Sequence, residues 1–121
     1  MSGHRLFEDF KNACRTHANL DPGDAGTITG DTVGYLPLVT GGAETRTLAD
    51  PDARGGLLIL TLLTDGGDCV VTASTAINAT GNTIITFADA GDTCLLVSSE
   101  TAAGTYVWRY LAGDGGGPAL S

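Results

Sequence analysis

From residue 25 to residue 111 apolar and polar positions alternate in short runs separated by clusters of glycine, aspartate, asparagine and threonine. Period-two alternation bounded by turn residues marks β-strands. The pattern predicts eight: 25–29, 33–39, 44–48, 57–64, 69–74, 83–88, 93–98 and 105–111. Pro37 falls inside the second and has no N–H to give to a ladder, so that strand is expected at an edge or a bend. Residues 5–18 differ. They contain no glycine or proline and place Leu6, Phe7, Phe10, Ala13 and Cys14 at helical spacing. A short amphipathic helix or arm is expected there, ending before Asp21-Pro22-Gly23. It reads equally as a packing helix and as an arm that grips a neighbouring subunit.

The expected fold is therefore all-β, a small β-sandwich or barrel-like domain of short antiparallel strands with a short N-terminal helical arm. The division expected is an arm over 1–20, a β domain over 21–112 and a tail over 113–121. Glycine-rich Gly113-Asp114-Gly115-Gly116-Gly117-Pro118 should make that tail flexible.

Two segments break the alternation. Six of the seven residues from Leu57 to Leu63 are apolar, and Cys94-Leu95-Leu96-Val97 is apolar throughout. A strand with one wet face should alternate, so these ask for cover on both faces. A second copy of the chain can supply it, and so can barrel closure or the N-terminal segment. Self-association is favoured, because each large apolar side chain buried contributes roughly 1.5–3 kcal/mol. Asp21-Pro22-Gly23-Asp24, Asp65-Gly66-Gly67-Asp68 and Asp89-Ala90-Gly91-Asp92 share the form D-x-G-D. The first aspartate can accept turn N–H groups and the glycine can take a positive φ before the return strand. The last two, each between apolar strands, read as two β-hairpins in tandem. Calcium is the alternative reading, but the spacing of an EF-hand loop is missing.

Composition narrows the function. The chain has 121 residues, 18 glycines, 17 threonines, a single lysine (Lys11) and a formal net charge of −8. One domain is expected. Six basic residues against fourteen acidic ones argue against nucleic acid as a partner. No run approaches the roughly 20 apolar residues of a membrane helix, and no apolar signal-peptide core opens the sequence. The chain is expected to be made and kept in a cytoplasm unless it leaves within a larger particle. Cys14, Cys69 and Cys94 form no CxxC pair, and the last two read as small buried hydrophobes.

Chemistry is sparse. His4 and His17 are the only histidines, and Cys14 and His17 could share a helix face, but no nucleophile–base–orienter set stands out. No zinc spacing and no phosphate loop is present. Catalytic, metal and cofactor residues are expected to be none. A small acidic ligand-binding or hydrolytic barrel would have to use Glu44, Asp50 and Asp52.

The stretch from Ile84 to Asp92, Thr86-Phe87-Ala88-Asp89-Ala90-Gly91-Asp92 within it, then Cys94-Leu95-Leu96-Val97 and Tyr106-Val107-Trp108-Arg109, resembles tailed-bacteriophage virion proteins of the capsid decoration (cement) type. So does Gly34-Tyr35-Leu36-Pro37-Leu38 leading into Arg46-Thr47-Leu48. The resemblance implies a small β-structured protein on the capsid surface, a homotrimer cementing neighbouring capsomers. Its partners would be the major capsid protein and further copies of itself, without nucleic acid, membrane or cofactor. Contact residues expected are Leu6, Phe7 and Phe10 of the arm, Leu57, Leu58, Leu60 and Leu62 of the apolar strand, and Trp108. A head fibre, tail or baseplate module of the virion is the alternative.

Overall fold

A computed structural model describes residues 19–115 and 117–121. The helix expected over 5–18 lies outside the described residues. Nine strands form: β1 (Gly26–Ile28), β2 (Gly34–Val39), β3 (Glu44–Leu48), β4 (Leu57–Thr64), β5 (Cys69–Ala73), β6 (Ile84–Phe87), β7 (Thr93–Ala102), β8 (Thr105–Gly113) and β9 (Ala119–Leu120). They make two sheets. One has the order β1-β3-β5-β6-β9, the other β2-β4-β7-β8. The described residues are all-β and contain no helix.

The first five strands alternate between the sheets. β1, β3 and β5 pair in parallel in one, β2 and β4 in parallel in the other. The expectation of a wholly antiparallel domain is therefore corrected: antiparallel pairing holds for β4–β7, β5–β6, β6–β9 and β7–β8. The two tandem hairpins are corrected as well. Asp65–Asp68 joins β4 to β5 and Asp89–Asp92 joins β6 to β7, and each link crosses from one sheet to the other. A hairpin turns a strand within its own sheet. These links are arches, whose flanking strands meet through side chains across the core.

The first aspartate accepts a turn N–H as expected at Asp21, from Gly23 (3.2 Å), and at Asp65, from Gly67 (3.1 Å); at 89–92 the last aspartate takes that part instead. Asp92 Oδ2 accepts the N–H groups of Ala88 (3.0 Å) and Asp89 (3.2 Å), and Gly91 has φ +94°. At 65–68 the glycines also serve close packing. A Cβ on Gly66 would collide with Thr40 O, because the arch 65–68 lies against the preceding arch 40–43. Thr40 clamps the two together. Its hydroxyl donates to Gly67 O (2.7 Å) and accepts from Gly66 N–H (3.1 Å).

Both sheets feed one buried cluster. Ile28, Leu48, Val71, Ile85 and Phe87 come from one, Leu36, Leu38, Leu58, Leu60, Leu62, Leu96 and Trp108 from the other. Cys69 and Cys94 are buried in it. Burial pushes their thiols up to about 11 and about 12. Trp108 fixes its ring by donating Nε1–H to Ala49 O at 3.1 Å. β7 and β8 form the hairpin that closes the second sheet.

The tail is not loose. After a cis Gly117–Pro118 bond, β9 pairs with β6, and Ser121 bonds Thr83 and Ile84 through its backbone. Leu120 packs on the core. The glycines predict a loose tail, but Ala119 and Leu120 form an edge strand. At the other end, Asn19 and Leu20 fall within the expected arm, yet Asn19 is hydrogen-bonded to β2 and belongs with the body.

Candidate binding surface

The two sheets present very different outer faces. On the five-stranded sheet, Thr27, Thr47, Thr72 and Ile84 are cross-strand neighbours in one row, and Thr45, Val70, Thr86 and Ala119 in the next. Threonine suits a wet pleated surface, where the branched carbon favours the strand and the hydroxyl meets water. On the four-stranded sheet, one row runs Tyr35, Ile59, Leu95 and Ala112, and the next runs Leu57, Val97 and Arg109. Val39 and Leu63 extend the face at 46% and 58% exposure. Its outward positions carry one arginine and no carboxylate, although the chain as a whole is strongly acidic.

This geometry redistributes the residues expected at contacts. Leu58, Leu60 and Leu62 point inward and are fully buried within the single chain; Trp108 is also inside at 2% exposure. Their surface is already used in the core, so in this fold they are unavailable for a second molecule. Leu57 lies on the outer face and is half-buried. Leu6, Phe7 and Phe10 lie outside the described residues. The outward partners Tyr35, Val39, Ile59, Leu95 and Val97 were missed. The signal was present: in a strand, i and i+2 share a face, so Leu57, Ile59 and Leu63 necessarily oppose Leu58, Leu60 and Leu62.

Between β4, β7 and β8 the face sinks into a depression of about 240 Å³ lined by Ile59, Thr93, Cys94, Leu95, Ala112, Gly113 and Asp114. Ala112 and Gly113 make the hollow because they fill so little space, and the pairing shifts register between Leu95 and Leu96 beside it. Asp114, just past β8, is the carboxylate at its rim.

Two other hollows are more polar. One, of about 390 Å³, opens beside β1 and β2 among Asn19, Leu20, Thr27, Thr29, Asp31 and Thr32. The other, of about 370 Å³, has Trp108 and Ser98 in its lining with Asp31, Asp52 and Arg54. The three carboxylates of the hydrolytic reading do not converge. Glu44 opens β3 and Asp50 lies beyond its far end, more than roughly 13 Å away at about 3.3 Å per residue. Glu44 pairs with Arg46 at 3.0 Å, and Asp50 accepts from the Thr75 hydroxyl at 3.0 Å. Among the described residues no group of three or more His, Cys, Asp or Glu side chains is arranged to hold a metal ion.

The edge strand β2 is closed to strand addition. Asn19 donates its backbone N–H to Tyr35 O (2.8 Å) and its amide to Val33 O (2.8 Å). Pro37 has no N–H, and Val39 N–H is taken by Asp21 Oδ2 at 2.9 Å. Asp21 is held in turn by Arg46, whose Nε and Nη2 each donate to it at 2.8 Å. Burial works to raise the Asp21 carboxyl, but Arg46 and the N–H groups of Val39 and Gly23 outweigh it and leave the group below its ordinary value. An edge treated in this way resists pairing with another chain. No protein-family model matches the chain, and no curated protein matches it.

Proposed function

We propose that this chain is a capsid decoration protein: a small β-sandwich, displayed as a homotrimer on a tailed-bacteriophage capsid, that binds the major capsid protein and stabilises contacts between capsomers. The observation that carries the reading is the contrast between a threonine face and an aliphatic, carboxylate-free face on one acidic body. Apolar patches of this kind on small domains mark contact surfaces. An acidic exterior elsewhere keeps copies from clumping at random. The resemblance of Gly34–Leu38, Ile84–Asp92 and Tyr106–Arg109 to virion decoration proteins supplies the setting. The work is adhesive: the ordered sheets form a rigid body, and the apolar face provides adhesion.

The test is immunogold labelling of tailed-phage particles purified from the organism that carries the gene. The reading expects gold over the head surface and a loss of label when decoration is stripped. Label confined to the tail or fibres would transfer the chain to those structures, and particles without label would overturn a virion role.

A further inference from the structure

We infer that the outer face of the β2-β4-β7-β8 sheet receives the N-terminal segment, residues 5–18, of a neighbouring copy, with Leu6, Phe7 or Phe10 seated in the depression beside Ile59 and Leu95. This names the partner of the surface described above and rests on its adhesive reading.

Area argues first. Four strands spaced about 4.8 Å apart and six to ten residues long present roughly 500 Å². A stable face-to-face pair needs about 800 Å² from each partner. The sheet is too small to hold a second sheet by itself. A helix of fourteen residues is about 21 Å long and about 10 Å wide with its side chains, and it fits along the face. Residues 5–18, read from their spacing as an amphipathic helix, have that length and an apolar stripe.

Charge argues next. Residues 1–18 hold three basic side chains and two acidic ones, whereas the rest of the chain holds three arginines against twelve carboxylates. The segment is thus the stretch that an acidic neighbour attracts, and Asp114 stands at the rim of the depression.

Direction selects a neighbour over the same chain. Asn19 is fastened opposite Val33 and Tyr35, and Asp21 opposite Val39. The chain from Asn19 to Asp21 therefore runs beside β2 in the direction of β2, with Asn19 at the Val33 end. No glycine or proline occurs from His4 to Leu20 to turn it back over its own face.

Sedimentation of the full chain over a concentration series tests this. The wild type should associate in the micromolar range. Phe7→Ala with Phe10→Ala should weaken association at least tenfold, and Leu95→Ala should do the same. Combining them should weaken it no further than the stronger single change, because both remove one contact. Circular dichroism and the urea midpoint verify folding, and Ile59→Thr replaces Leu95→Ala should that variant unfold. Loss of association in the face variant alone would overturn the inference in favour of direct sheet contact. Additive effects, unchanged association in the arm variant, or a monomeric wild type at 100 micromolar (an arbitrary ceiling of about that order) would overturn it too. Particle labelling can fail while this coupling holds, so the two readings fall separately.

Discussion

At the scale of single residues, Arg46 is the most consequential buried group. It is 1% exposed yet charged, and it ties Asp21, Glu44 and Val39 O together. Removing one partner of a buried pair leaves the other unsatisfied, which costs more than the pair contributes. Arg46→Met should therefore destabilise the fold by about 3 kcal/mol, read from the urea midpoint at neutral pH. Asp21 adds an acid limb. Its folded value lies below the unfolded one, so its stabilising contribution is complete above the unfolded carboxylate range and is lost as pH falls through the folded value. Asp21→Asn should flatten that part of the stability–pH curve. The thiols act at the other end. Cys69 and Cys94 are raised to about 11 and about 12, so stability should decline as pH rises past about 8.5, where the unfolded thiols begin to ionise. At pH 8 a thiol reagent should leave both unlabelled in the native protein and modify both in denaturant.

At the scale of elements, the arches and the last strand are what the sequence concealed. Turn residues at 65–68 and 89–92 announce a reversal, and nothing local in D-x-G-D distinguishes a hairpin from an arch; only the partner strand, distant in sequence, decides it. Gly66 and Gly91 separate the two uses of glycine. Gly66→Ala would drive a methyl into Thr40 O and should cost about 2 kcal/mol or more. Gly91→Ala faces open space and meets only its φ of +94°, for about 1 kcal/mol. Thermal unfolding of the two variants compares them. Strand β9 gives a sharper contrast. Deleting residues 117–121 removes Leu120 from the core and the Ser121 bonds to β6, and should lower stability by about 2 kcal/mol; a free tail would leave the midpoint unchanged. By contrast, eight strand positions were legible directly, because Val, Ile, Leu and Thr alternate between turn residues that leave little else possible. Pro37 also disclosed that β2 is an edge strand.

At the scale of the whole molecule, the apolar runs were legible as a demand for cover on two faces, but which leucines faced which way was not. The core took Leu58, Leu60 and Leu62, and the outward face kept Leu57, Ile59, Leu63, Leu95 and Val97. That choice follows from pairing with β7 and from the position of the second sheet, neither of which is local. The result is a body with one solvated threonine face, one aliphatic face, and an edge at β2 sealed by Asn19, Pro37 and Asp21. On this account the aliphatic face is where the molecule holds to others. The most direct test is light scattering of the full chain beside Ile59→Asp, with circular dichroism to show that both are folded. The account predicts an associated wild type and a monomeric variant, because a carboxylate at the centre of the face must be desolvated on contact. Equal mass for the two, whether both monomeric or both associated, would contradict it.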